Sequence, residues 1–242
     1  GVKPIYISNT PKGFVFASEI RAVLASGLVK RKLSQSALAD YLRYQTVHAP
    51  STIIDNVKML MPGHYVHFKE NSIEFKEYWN MKNFLTESND SKSRDEVKKD
   101  VYDLLHSSIE MRMRADVPFG AFLSGGIDSS IVVGLMSRIS THPVKTFSIT
   151  FHEKEFDESP YSDMIAKRFK TEHSEIRLSA NDFLSTIPEA LNAMDHPGGD
   201  GPNTYVVSKV TREAGVKMAL SGIGGDELFA GYDIFKRMHS LN

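Results

Sequence analysis

Cysteine is absent from all 242 residues. That excludes disulfides, thiolate metal sites and a cysteine nucleophile within the chain. It also fits a reducing compartment, so the cytoplasm is the expected location. Neither charge is in excess: 29 Lys and Arg stand against 30 Asp and Glu, a formal net charge of -1. Bulk charge therefore gives no case for nucleic acid or an anionic membrane as a partner. Long apolar runs are missing too. Ile131-Val132-Val133-Gly134-Leu135-Met136 is among the longest, far short of the ~20 residues of a membrane-spanning helix. The opening Gly1-Val2-Lys3-Pro4-Ile5-Tyr6 lacks the basic-then-apolar order of a signal peptide. An initiator methionine is lacking as well, as expected of a piece of a longer chain. What remains is ordinary globular composition, 41% hydrophobic and 24% charged. A disordered chain would be poorer in apolar residues and more strongly charged. At ~100–200 residues per domain the length allows one large domain or two modest ones.

The pattern changes between residues 80 and 100. Glu87-Ser88-Asn89-Asp90-Ser91-Lys92-Ser93 is polar and without apolar periodicity, and reads as a linker. Before it, Ile5–Ser8 and Gly13–Ala17 flank Asn9-Thr10-Pro11-Lys12 as a hairpin. Residues 18–26 read as a helix stopped at Gly27. Residues 61–64 read as a turn, with strands at 65–68 and 73–76. This half reads as α+β and holds no complete catalytic constellation. After the linker, Ser93 and Glu96 have the spacing of a capping box. Val97, Val101, Leu104, Leu105, Ser108 and Ile109 then follow at helical spacing. From Pro118 onward strands at 119–123, 144–151, 174–178 and 216–220 are predicted. Helices at 129–139, 159–169, 182–194 and 203–214 lie among them. Repeated β-α-β units predict a parallel, doubly wound α/β sheet with helices on both faces.

Two glycine-rich loops follow buried strands in this half. The first is Leu123-Ser124-Gly125-Gly126-Ile127-Asp128-Ser129-Ser130. Its glycines let backbone amides turn toward a ligand, and the following helix start adds partial positive charge, which suits phosphate oxygens. Ser124 and Ser129 add hydroxyl donors. Asp128 would repel phosphate unless a cation stood between them, which points to Mg²⁺. No Gly-Lys-Ser/Thr follows, so this is not a Walker loop. The second loop is Leu220-Ser221-Gly222-Ile223-Gly224-Gly225-Asp226-Glu227-Leu228-Phe229-Ala230-Gly231-Tyr232. Both loops are expected at the carboxyl edge of one sheet, where open α/β sheets bind ligands. Asp226 could then share a cation with Asp128. Each loop alone is also compatible with a plain strand-helix turn.

Weaker signals favour structural roles. His64 and His67 stand three apart, which in a strand sends them to opposite faces. Glu153, Glu155, Asp157 and Glu158 read as a solvated acidic loop, with a metal or substrate contact as the alternative. His196 and Asp200 occupy a Pro/Gly loop, either as turn residues or in touch with substrate. Met111 and Met113 read as packing residues.

The two loops together resemble the ATP-pyrophosphatase domain of the glutamine-hydrolysing asparagine synthetase family. Ser124 to Ser129 matches its pyrophosphate (PP) loop and Leu220 to Tyr232 its second signature. Asp195-His196-Pro197 through Tyr205-Val206-Val207-Ser208-Lys209 resembles the substrate-side segment between them. Gly1–Pro4, Phe16-Ala17-Ser18-Glu19-Ile20, Pro62-Gly63 and Tyr78-Trp79 are similar to the tail of the family's class II, N-terminal-nucleophile glutaminase domain. The resemblance covers nearly the whole chain. It implies residues 1–80 as the end of that domain, 81–93 as linker and 94–242 as a truncated synthetase domain of adenine nucleotide α-hydrolase-like fold.

The implied reaction belongs to asparagine biosynthesis. A carboxylate, aspartate in the namesake, forms an acyl-adenylate with ATP, and ammonia from glutamine displaces AMP. Asp128 and Asp226 are the implied catalytic and metal-holding residues, with ATP and Mg²⁺ as cofactors. The implied ATP contacts are Leu123, Ser124, Gly125, Gly126, Asp128, Ser129, Ile149, Ser221 and Gly222, with Leu123 and Ile149 against adenine. Expected partners are small molecules, with no nucleic acid and no membrane; a homodimer stays open. Other readings are a β-lactam-forming or sugar-carboxylate-amidating relative, or a non-catalytic nucleotide binder.

Three features depart from the family pattern. The glutaminase cysteine is missing. Many members carry an acidic residue where this chain has Ile223. The family's catalytic lysine lies further downstream than Asn242. Residues 1–242 alone are therefore expected to be inactive, and aspartate is an uncertain acceptor.

Overall fold

The computed structural model describes residues 3–69, 72–84, 92–151 and 158–240. They divide into two compact units, one from residues 1–90 with 188–203 and one from 91–187 with 204–242.

The first unit opens with a hairpin of β1 (Tyr6–Thr10) and β2 (Gly13–Ala17). Thr10 pairs with Gly13, so the turn is Pro11-Lys12 and is shorter than the sequence suggests. Thr10 tightens it by donating its Oγ1 hydrogen to Gly13 O at 2.8 Å. Helix α1 (Ile20–Ala25) ends before Gly27, whose φ of +70° suits glycine. Helix α2 (Gln35–Tyr44) starts at Ser34, whose hydroxyl accepts the Ala37 N–H. Strand β3 (Lys58–Met59) joins the other side of β1, giving the order β2-β1-β3. A second hairpin pairs β4 (His64–Lys69) with β5 (Ser72–Glu77). Tyr6, Ile20, Val23, Val29 and Val57 form this unit's core. A 3-10 turn covers Met81–Phe84. Most of the polar stretch read as a linker, residues 85–91, lies outside the described residues.

The second unit begins at the expected capping box. Ser93 Oγ accepts the Glu96 N–H at 3.3 Å, and Glu96 Oε2 accepts the Ser93 N–H at 2.7 Å. Helix α3 (Arg94–Arg112) then buries Ile109 and packs Leu105 against the core. After it come β6 (Phe119–Phe122), α4 (Ile127–Ile139), β7 (Lys145–Phe151), α5 (Ser159–Phe169) and β8 (Glu172–Leu178). Next are α6 (Ala180–Ala193), α7 (Gly201–Glu213) and β9 (Met218–Leu220). Two short helices that the sequence pattern does not announce, α8 (Gly225–Phe229) and α9 (Asp233–His239), complete the order. The end of α6, the start of α7 and the loop between them group with the first unit.

The four strands of this unit are all parallel, in the order β8-β7-β6-β9. Both faces are covered. Ala121 and Leu123 share a core with Val133 and Met136 of α4, while Phe122, pointing the other way, lines a cavity with Ser208 and Thr211 of α7. The chain winds outward from β6 to β8 and then returns to the far side of β6. The strand order therefore reverses between β6 and β9, and the crevice beyond their carboxyl ends is the ligand position of such sheets.

Candidate active site

Both glycine-rich loops leave the sheet at this reversal. The first connects β6 to α4. Gly125 has φ +81°, and a Cβ there would stand 2.6 Å from Tyr161 Cβ and 2.8 Å from Ser162 N. Glycine is thus required twice at 125, for the dihedral and for the close packing on the start of α5. Gly126 is the N-cap of α4 and offers no side chain to its free amides. Those amides remain available to an anion, and the helix dipole adds to the attraction. Ser124 accepts the Gly126 N–H at 3.3 Å and shares a 3.0 Å hydrogen bond with Ser129. Ser129 is buried, and its hydroxyl also donates to Gly126 O at 3.2 Å. Ser129 therefore braces the loop from within, while Ser124 stands at its rim.

The second loop, between β9 and α8, seats directly on the first. A Cβ on Gly222 would fall 2.8 Å from Asp128 Cβ and 2.8 Å from Ser129 N. One on Gly225 would fall 2.2 Å from Asp128 Oδ2. Asp128, in the first turn of α4, thus lies with its carboxylate against the start of α8. Asp226 lies in the first turn of α8, and Gly231 packs as closely on its carboxylate. Tyr232 donates its phenol hydrogen to Glu227 Oε1 at 3.1 Å. That bond and the Glu227 charge hold the phenol pKa above its ordinary value, with Asp226 and Asp128 adding to the effect. Three carboxylates from two loops therefore act electrostatically on one hydroxyl. The sequence shows Glu227 and Tyr232 inside the second loop, but their bond depends on the turn at Ala230-Gly231, which spacing alone does not reveal.

Among the described residues, no three His, Cys, Asp or Glu side chains gather as a protein-only metal cage. Two carboxylates beside a glycine-rich helix start would suit Mg²⁺ instead, because that ion keeps waters and takes phosphate oxygens as ligands. The glycine cradle around the Asp128 carboxylate fits this role, since it fixes the group without consuming it in an ion pair.

The other expected contacts divide. Ser221 and Gly222 sit in the second loop beside Asp128. Leu123 is 1% exposed, its side chain taken up by the core under α4. Ile149 lies on the opposite face of the sheet. Phe122 pairs with Phe147 in register, which puts Ile149 on the Phe122 side and Leu123 on the other. The two side chains thus lie on opposite faces of the sheet. Ile223 projects from the second loop, 92% exposed.

Among the weaker candidates, His64 Nδ1 meets Pro62 O at 2.9 Å and His67 lies further along β4. Met113 packs against the core at the end of α3, and Met111 is exposed. Glu153, Glu155 and Asp157 lie outside the described residues, and Glu158 precedes α5. His196 Nδ1 lies 3.2 Å from Pro197 O, in the first unit.

The asparagine synthase family model matches residues 100–242 and the glutamine amidotransferase domain model matches residues 1–79. The chain is 36% identical over 239 residues to a putative glutamine-hydrolysing asparagine synthetase 2 of Methanocaldococcus jannaschii, covering 96% of this chain and 45% of that protein. It is 34% identical over 247 residues to glutamine-hydrolysing asparagine synthetase 1 of Bacillus subtilis, covering 100% of this chain and 38% of that one. The chain thus spans less than half the length of these relatives. Among solved structures, an NH3-dependent NAD synthetase of Campylobacter jejuni aligns with a TM-score of 0.39 at 13% identity, over 55% of this chain and 60% of that one.

Proposed function

Given that the chain belongs to the asparagine synthase family, we propose that it carries the ATP-binding core of a carboxylate-amidating ligase. In this reading a substrate carboxylate oxygen attacks the α-phosphorus of ATP. The bond to the β-phosphate oxygen breaks and pyrophosphate leaves, giving an acyl-adenylate. Ammonia from glutamine then attacks the acyl carbon, and AMP departs. The acceptor is aspartate or a related acid. Residues 1–80 are the end of the glutaminase portion, 81–93 join the two portions and 94–242 belong to the synthetase portion.

The observation that carries the reading is the seating of the second loop on Asp128 through Gly222 and Gly225. It gives the free amides at the α4 start and two acidic residues a common place at the sheet edge. The chain's own groups have distinct tasks. The amides and Ser124 would bind phosphate oxygens. Asp128 and Asp226 would hold Mg²⁺. When bound, Mg²⁺ neutralises charge on the departing pyrophosphate. Donors fixed in advance at that position favour the charge that develops there. Ile149 would support the base.

One observation favours a related acid over aspartate. Ile223, 92% exposed and between the two glycines that touch Asp128, cannot exchange protons. Calorimetry on the intact protein tests the ATP step: binding should be tighter with Mg²⁺ than with EDTA, and equal affinity would remove the metal role of Asp128 and Asp226. Pyrophosphate exchange into ATP, run with a panel of carboxylic acids, would identify the acceptor. Nucleotide binding without exchange on any acid would leave a non-catalytic nucleotide binder.

A further inference from the structure

The first turn of α1 is capped from far along the chain. Glu19 holds the N-cap position but makes no side-chain cap bond, and its carboxylate pairs with Arg21 Nε at 3.2 Å. The free amides are satisfied by Asp195 instead. Its Oδ2 accepts the Ile20 N–H at 2.5 Å and its Oδ1 accepts the Arg21 N–H at 2.9 Å. Arg21 completes the tie. Its Nε lies 3.3 Å from Asp195 Oδ1, and its Nη2 donates to Ala193 O at 2.7 Å. A carboxylate on the first amides of a helix serves the same ends as a local cap and adds a favourable charge-dipole interaction. The Asp195 side chain is only 19% exposed, and its charge raises the pKa of the Tyr6 phenol, second to burial. Tyr6 and Ile20 are core residues, so the tie sits at the edge of the first unit's core.

Two further facts give the tie consequence. Ile20 and Arg21 belong to the glutamine amidotransferase match, and Asp195 belongs to the asparagine synthase match. Residues 188–203 nevertheless fold with the first unit. The next residue, His196, begins a Pro/Gly turn that walls a cavity of about 720 Å³ with Tyr41, Gln45 and Met194. We propose that Asp195 is a positioning residue that fastens the His196–Gly199 loop to α1, and so couples ammonia supply to amidation. The coupling half of this statement rests on the function proposed above. The tie itself does not.

The test uses the intact protein with Asp195→Asn and Asp195→Ala. Hydrogen exchange reads the tie directly. Exchange at the Ile20 and Arg21 amides and across residues 194–200 should quicken about tenfold or more in the Ala variant. The Asn variant, which keeps an acceptor oxygen, should fall between it and wild type. Unchanged exchange at Ile20 and Arg21 in the Ala variant would overturn the tie. Coupling is read as glutamate released per amide product formed. That ratio should rise severalfold in the Ala variant. An unchanged ratio, or an equal fall in both rates, would overturn the coupling role. Should wild type amidate no acid from either nitrogen source, the proposed function fails, and the exchange measurement still decides the tie.

Discussion

The carboxylate of Asp128 lies against the Cα of Gly225, and a methyl group built there would stand 2.2 Å from Oδ2 and 2.3 Å from Cγ. The residue that starts α8 is therefore small because an acidic group of α4 occupies the space beside it. Gly225→Ala should displace that carboxylate from its cradle. We expect Mg²⁺-dependent ATP affinity to fall about tenfold or more, equivalent to ~1.4 kcal/mol. The folded state should change little, because alanine is the better helix former by about 1 kcal/mol. Competition with a fluorescent ATP analogue, alongside a melting curve, separates the two effects. Wild-type affinity in the variant would mean that the position of Asp128 does not matter to the metal.

His173 gives a pH-dependent prediction. Its Nδ1 lies 2.9 Å from Thr146 Oγ1 and its Nε2 lies 3.2 Å from Ser148 Oγ, so both ring nitrogens engage hydroxyls on β7. Burial lowers its pKa, against the opposing pull of Asp163 and Glu175. The folded state therefore binds this proton less readily than the unfolded chain, whose histidine titrates near ~6.5. The contribution to stability is present above that value. It is lost as pH falls through it toward the lower folded pKa. The Tm should drop between neutral pH and about pH 5, and His173→Gln should flatten that decline. An identical slope in the variant would assign the acid sensitivity to other groups.

Packing within the second unit offers a direct contrast. Met136 is 0% exposed, in the cluster with Ala121, Leu123 and Val133. Met136→Ala should cost about 2–5 kcal/mol, because the site is closed on every side. Leu104 shares the apolar spacing of α3 but is 71% exposed, so Leu104→Ala should stay within about 0.5 kcal/mol. Denaturant unfolding of the two variants checks both values.

That contrast also marks what sequence can tell. Leu104 and Leu105 are neighbours ~100° apart on a helix, and a stripe that includes both is wider than the face α3 buries. The alternation of strands and helices was legible because buried parallel strands read as short apolar runs between turn signals. The first glycine-rich loop was legible because its glycines, serines and aspartate are contiguous. The sheet order β8-β7-β6-β9 was not, since periodicity is local and strand neighbours are not. The same limit hides the opposite faces of Leu123 and Ile149, which depend on the register of Phe122 with Phe147. It hides the cap on α1 as well, whose donor and acceptor stand 174 residues apart.

The last prediction concerns Ile223. Its side chain is 92% exposed on a loop whose neighbours, Gly222 and Gly225, touch Asp128. An aliphatic group there can neither accept a proton from attacking ammonia nor pair with the ammonium of an amino-acid substrate. It would instead desolvate a charged neighbour, at a cost to any acceptor as polar as aspartate. Glu227 is near in sequence, but its carboxylate is engaged by the Tyr232 hydroxyl. We therefore expect the intact protein to amidate aspartate poorly, and Ile223→Glu to raise asparagine formation. General acid-base assistance contributes roughly 10²–10⁴-fold, so even partial recovery is measurable if the rest of the pocket admits aspartate. The assay is asparagine production from ammonia, ATP and aspartate by wild type and Ile223→Glu. Wild-type turnover at ordinary enzyme rates, together with a loss in the variant, would show that Ile223 does not mark a change of substrate.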